Sequence, residues 1–289
     1  MLPMTKELIV ANKTRRNPNN NWLNQSWMLL ALPMLLFIIL PLASLFTRTT
    51  LAELWSTLNQ GQVIQAVSLS IFTSLITTLV SILFGTPVAY LLSQRRFRFY
   101  RVVDTLIDLP YILPPAVAGI ALLMAFGRRG LFGGILADAG LSIPFTTLAV
   151  IMAQTFIASP FYIKAAAIGF SGIDQELMQA AALDGANRWQ IFRFIIVPLS
   201  WMALASGCVM TLARALGEFG ATIIFAGNFP GRTQTMPLAI YIGFELDLNV
   251  ALTLSIILIC FSFLTLILMK GMLHHQVEDH VIETDPAGS

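Results

Sequence analysis

The chain has 289 residues, of which 56% are hydrophobic and only 11% charged, with a mean hydropathy of +0.77. Soluble globular chains carry about 25% charged residues, so this composition excludes an ordinary water-soluble domain. A net charge of +2 is too small to point to nucleic acid or to an acidic partner.

The charges are clumped. Residues 27–47, 54–94, 109–127, 139–163, 194–213 and 248–269 contain no Asp, Glu, Lys or Arg. Each stretch reaches the roughly 17–25 residues of a bilayer-spanning helix. Lipid offers no partner to an unpaired backbone group, so helices are the expected form. Six spans follow, over 28–47, 64–92, 105–126, 145–168, 196–218 and 248–270. The expected class is an all-α membrane protein with six transmembrane helices.

Residues 1–27 form an Asn-rich basic tail ending in Trp22 and Trp27, aromatic residues suited to the membrane interface. The first apolar run is longer than the core of a signal peptide and reads as a retained anchor, continued by an outside loop or surface helix to residue 59. "SQRRFRFYR" (93–101) interleaves Arg with aromatics and reads as a positive-inside anchor. The third span opens on "DLPYILPPAVAGI", where Pro110, Pro114 and Pro115 remove backbone donors. They mark either an interfacial helix start or irregular backbone lining a path. Asp104 and Asp108 share a helix face beside the Arg loop, where interface salt bridges account for them.

Orientation follows from Lys and Arg. With both termini inside, the inner segments hold Lys6, Lys13, Arg15, Arg16, Arg95, Arg96, Arg98, Arg101, Lys164, Arg188, Arg193 and Lys270, twelve in all. The outer segments hold four, Arg48, Arg128, Arg129 and Arg232, while Arg214 lies within the fifth span. Both termini are therefore expected in the cytoplasm, with residues 171–194 between spans four and five.

That loop is capped like a designed element. Asp174 is an N-cap with Ile173 and Met178 at hydrophobic-staple positions, and helix formers run from 175 to 184. Gly185 supplies a left-handed stop, and Asn187 with Gln190 forms a capping box for a second helix that approaches the membrane at Pro198. The pair is either a docking element or a surface connector. The string Gln179-Ala180-Ala181-x-x-x-Gly185, followed by Ile195-x-Val197-Pro198, resembles the EAA loop of ABC-importer permeases, with Gln in place of the family's Glu and Val in place of its Leu. The resemblance covers about 60–270, with 271–289 a cytoplasmic tail, and implies a type I importer permease (MetI-like) fold. It implies that two such subunits, in the simplest case a homodimer, flank a path through the lipid bilayer of a cell inner membrane. It also implies that Gln179, Ala180, Ala181, Asp184, Gly185, Ala186, Arg188, Trp189, Ile195 and Pro198 couple to a separate cytoplasmic ATPase. ATP is then used by that partner and no cofactor is bound by this chain, which has no G-x-x-x-x-G-K-[ST] phosphate loop.

Residues 213–241 read "ARALGEFGATIIFAGNFPGRTQTMPLAIY". Arg214 and Glu218 share a helix face, and ionisable residues inside a span are costly and suggest function. The alternative is a pair tying two spans together. Gly217 and Gly220 would admit a close helix or break this one. The run Gly217-Glu218-Phe219-Gly220-Ala221 through Thr233-Gln234-Thr235 is similar to molybdate-importer permeases, more so than to the related sulfate and thiosulfate permeases. Molybdate or tungstate is the expected cargo, with sulfate the alternative. Pro114 and Pro115, by their missing donors, and Arg214, Gly217, Glu218 and Gly220, by their place within a span, are path or gate candidates. The resemblance gives the path its frame of two subunits. It also makes Asn228, Gly231, Arg232 and Gln234 candidates for docking an extracytoplasmic oxyanion-binding protein.

Other classes fit less well. A secondary transporter usually carries more acidic residues at the midplane than Glu218 alone. An intramembrane enzyme needs a catalytic constellation, yet no His precedes His274. His274, His275 and His280 sit in a tail without a metal scaffold, and Cys208 and Cys260 are small packing residues within spans.

Overall fold

The computed structural model describes residues 20–94 and 98–283, with side chains described for 27–94 and 98–271. The first 19 residues, Arg95, Arg96 and the three tail histidine side chains therefore lie outside the description. Among the described residues every regular element is helical. The chain divides at Arg48/Thr49. The first unit holds helix α1, Asn20–Thr47, whose stretch Trp27–Thr47 is long and apolar enough to cross a membrane.

The second unit begins with α2, Leu51–Leu58, started by a capping box between Thr50 and Glu53. Its centre is the pair α3, Gly61–Gln94, and α7, Thr147–Ser171. The buried face of α3 carries Ser70, Thr73, Ser74, Thr77, Thr78 and Ser81 at helical spacing. Small hydroxylated residues let helices approach closely where the hydrophobic effect gives no drive between them. The hydroxyls of Thr78 and Ser81 donate to carbonyls one turn back at 2.8 and 2.7 Å, so they are satisfied locally. Thr77 Oγ1 instead donates to Gln154 Oε1 at 3.1 Å, and Gln154 Nε2 donates to the Ala215 carbonyl at 3.1 Å. Ala215 lies in α11, Trp201–Leu216, so one amide ties three helices together.

Two predicted spans are broken. The third consists of α4, Tyr100–Ile112, and α5, Pro115–Phe126, which meet at 117° rather than forming one helix over 105–126. Pro114 forces Leu113 into an extended conformation (ψ 133°), and Pro115 restarts the helix at a position where its missing N–H is not needed. The fifth turns by 71° at Ser200, between the stretch Arg188–Leu199, which ends in the short α10, Val197–Leu199, and α11. Among the described residues four helices are long and apolar enough to cross a membrane, and six spans result only if each bent pair counts as one.

The stretch after α11 is also more structured than a loop. It holds α12, Gly220–Phe225, and α13, Met236–Leu246, before α14, Leu248–Glu283. At 11 residues α13 is about 16 Å long, half the hydrocarbon thickness. Its first N–H, that of Met236, donates to Ser70 Oγ of α3 at 2.7 Å. The short α6, Gly133–Asp138, closes the α5–α7 connection. The helix α14 continues beyond the predicted end of its span at 270.

Helices α5 and α12 pack through missing side chains. A Cβ on Gly119 would lie 2.8 Å from Ile224 Cβ and 2.9 Å from the Ala221 carbonyl oxygen. Gly119→Val is expected to force the two helices apart at a cost of about 1–3 kcal/mol. A lower thermal midpoint of the detergent-solubilised protein is the expected readout, and an unchanged midpoint contradicts this packing.

Candidate functional site

The polar pair between α7 and the fifth span forms as α8, Gln175–Leu183, and α9, Arg188–Ile191. Asp174 Oδ1 accepts the Glu176 N–H at 2.9 Å. At the other end Gly185 has φ +90°, the Ala186 N–H donates to the Ala181 carbonyl at 3.0 Å, and the Gly185 N–H donates to the Ala182 carbonyl at 3.1 Å. This is a complete Schellman stop. A Cβ at Gly185 would meet nothing within 4 Å, so the glycine is required by its backbone angle alone. Asn187 and Gln190 exchange the expected capping-box bonds at 2.8 and 2.9 Å. The helix then widens into a π turn, Phe192–Ile196, in which the Val197 N–H reaches back to the Phe192 carbonyl. Pro198 two residues later cannot donate and crowds the preceding turn, which the wider turn relieves.

Rings mount this pair on the ends of α3 and α7. Phe192 meets Tyr90 of α3 edge-on at 5.3 Å and Phe170 of α7 at 5.9 Å, and Trp189 stacks on it at 5.8 Å. Ile173 and Met178 join the same apolar cluster, as the staple predicts. Gln179, Ala180, Asp184, Gly185, Arg188, Trp189 and Pro198 are exposed, while Ala181, Ala186 and Ile195 are half-buried. Gln179 lines a groove of about 1080 Å³ with Tyr90, Phe170, Met178 and Trp189. The sequence reading passed over Leu177 and Leu183, both exposed apolar residues on α8, Leu183 at 89%. Their signal was present: leucines flanking Ala180 at three-residue spacing in an otherwise polar loop.

The path candidates meet at the helix breaks. A Cβ on Gly220 would lie 2.7 Å from Pro115 Cβ, so the start of α12 rests on the start of α5. Between α11 and α12, Glu218 is buried, with Oε2 2.8 Å from Arg214 Nη2 and Oε1 accepting the Ala221 N–H at 2.9 Å. The pair therefore bridges a break within one segment and does not tie two spans together. Gly217 is exposed and uncrowded. Pro114 is the N-cap residue of α5, next to Pro115 in the chain.

The segment 226–235 is a tight turn in which the Phe229 carbonyl accepts N–H groups from Arg232, Thr233 and Gln234. Gly231 has φ +71°, and Gly231 and Arg232 are exposed, with Asn228 half-buried. Gln234 does not belong to that surface. It is only 4% exposed because Thr233 to Met236 turn inward onto α3.

The model for the family of binding-protein-dependent transport system inner membrane components matches residues 81–275. The chain belongs to this family. It is a multi-pass membrane protein and a transport component, not an enzyme. The permease is 38% identical over 235 residues to the molybdenum transport system permease protein ModB of Mycobacterium bovis, covering 81% of this chain and 88% of that protein. It is 35% identical over 244 residues to the probable transport system permease protein NifC of Clostridium pasteurianum, covering 83% and 85% of the two chains. Among solved structures it shares its fold with a chain of a bacterial alginate ABC transporter in complex with an alginate pentasaccharide-bound periplasmic protein. That match has a TM-score of 0.69 at 16% identity over 89% of the permease and 94% of the other chain.

One charged cluster of the permease joins two helices. Asp104 and Asp108 of α4 form the expected salt bridges, their partner being Lys164 of α7, whose Nζ lies 2.6 and 2.8 Å from their carboxylates. Three charges on two helices carry a net charge of −1 and hold α4 against α7. Lys164→Met is expected to lower stability by about 1–2 kcal/mol, since the groups are partly exposed and screened. Adding Asp104→Asn and Asp108→Asn should restore the thermal midpoint in detergent; a triple variant as unstable as the single one contradicts the clamp.

Proposed function

We propose that the permease is the membrane-spanning subunit of an ATP-driven importer of molybdate, working as a homodimer with its termini in the cytoplasm. The carrying observation is the α8–α9 pair: a capped, Schellman-stopped helix with exposed Leu183, fixed by rings to the ends of α3 and α7. An apolar side chain so exposed at a polar membrane face is suited to a cleft on a soluble partner. The partner is a cytoplasmic ATPase. ATP binding there draws the two α8–α9 pairs together and opens the path outward, and hydrolysis returns it inward. An extracytoplasmic binding protein delivers the oxyanion near Asn228, Gly231 and Arg232. Gly220 and Pro115, with Pro114 beside them, form the part of the path that the opening displaces. The choice of molybdate is supported by the run from Gly217 to Thr235 and by the name that a 38% identical relative carries.

Reconstitution with the partner ATPase and binding protein tests this reading. Leu183→Asp is expected to weaken ATPase co-purification and ATP-driven molybdate uptake by roughly tenfold or more, equivalent to about 1.4 kcal/mol. Gly185→Pro, which cannot adopt a positive φ, should do the same. Both variants transporting normally would remove the coupling role. Sulfate competing with radiolabelled molybdate as well as unlabelled molybdate does would instead overturn the choice of cargo.

A further inference from the structure

A path for a tetrahedral dianion needs positive potential where lipid and protein have removed water. Few cations are available. Helices α3 and α5 contain no Lys or Arg, and α7 and α11 contain one each, Lys164 and Arg214, the latter in the last turn of α11 beside the break before α12. Lys164 is outnumbered by two carboxylates and leaves a net negative cluster that repels an anion.

Arg214 is different. Its partner among the described residues, Glu218, is 1% exposed, whereas Arg214 is 30% exposed. Both Glu218 oxygens are occupied, one by the guanidinium and one by the Ala221 N–H. The buried carboxylate thus points its charge into protein, and the pair presents its positive end outward. A guanidinium has five N–H donors in a planar fork that matches two oxygens of a tetrahedral oxyanion. An open guanidinium face against lipid is strongly disfavoured, so that face belongs on a water-lined side. Beside it, exposed Gly217 has only the Ala213 carbonyl, at 3.8 Å, near its Cβ position, leaving room for an ion.

We propose that Arg214 is the residue that contacts the oxyanion within the translocation path, and that Glu218 is a positioning residue holding the guanidinium open. This rests on the importer reading above and names how that path favours anions. The zero net charge of the pair suits passage rather than capture, because a path site must attract an ion and still release it.

The test uses the complete transporter in proteoliposomes. Arg214→Gln alone strands the buried Glu218, so the informative variant is Arg214→Gln with Glu218→Gln. It is expected to assemble, to keep ATP hydrolysis stimulated by the loaded binding protein, and to lose about tenfold in molybdate moved per ATP. Arg214→Lys should retain part of the uptake. Wild-type uptake per ATP in the double variant would overturn the proposal and leave the pair as a structural clamp.

A second measurement does not depend on the cargo. Arg214→Cys with Glu218→Gln, in a Cys208→Ala and Cys260→Ala background, should react with the anionic reagent methanethiosulfonate-ethylsulfonate in at least one nucleotide state. No reaction in any state overturns the path position. Reaction without molybdate transport by the wild type would uphold the path site and remove only the molybdate reading.

Discussion

Everything in this fold answers to one constraint: within lipid, no backbone N–H or C=O can be left without a partner. A helix can therefore break only where protein or water replaces lipid, or where the break strands nothing. Three of the breaks among the described residues are each managed differently. At Pro114-Pro115 the missing donors are absent by chemistry. Near Pro198 a π turn lets the Val197 N–H reach the Phe192 carbonyl. At 217–219 the Glu218 carboxylate takes the Ala221 N–H that the new helix α12 leaves free.

The frame that supports these breaks is not a hydrophobic core in the soluble sense. Between helices in lipid, packing and hydrogen bonds must supply what burial supplies in water, and each interhelical hydrogen bond contributes about 1 kcal/mol. The α3–α7 seam is accordingly built of Ser and Thr, with Gln154 tying it to α11 and the hydroxyls of Thr86 and Tyr162 meeting at 2.6 Å. Glycines remove the last obstacles. Gly169 of α7 faces Ala203 and Ser200, where any Cβ would come within 2.6 Å of Ala203 Cβ. The bend at Ser200 thus sits in a notch cut by a missing side chain.

Much of this was legible in residue order, and the limits have physical causes. Charge-free stretches located α1, α3, α7 and α14, because desolvating an ionised group is costly wherever the helix packs. The caps at Asp174, Asn187 and Gly185 were legible because they are local chemistry, closed within six residues. Bend angles are not local. The Pro pair announced a break, but the 117° turn depends on α5 resting against α12 through Gly119 and Gly220, about 100 residues away. Gln234 was misplaced because a polar side chain in a connecting segment reads as surface. Its burial follows from the Met236–Ser70 hydrogen bond, a contact across 166 positions. The Lys164 clamp was missed for the same reason, since an i, i+4 pair of aspartates says nothing of which helix brings its cation.

The proposed coupling and anion-contact sites lie on one uninterrupted stretch of chain, from Asp174 to Ala221. It contains two compliant points, the π turn at Phe192–Ile196 and the bend at Ser200, followed by the straight helix α11. Arg214 lies 14 residues beyond Ser200, about 21 Å along that helix. Gln154 anchors the next residue, Ala215, to α7 and α3, so α11 moves with that frame rather than pivoting alone at Ser200. Glu218 moves with Arg214, because their contact lies within the segment. The contact between Gly220 and Pro115 does not move as a unit, because α5 belongs to another part of the chain. In the proposed cycle, a displacement of α8–α9 that carries this frame leaves the charge pair intact and changes the seam beside it.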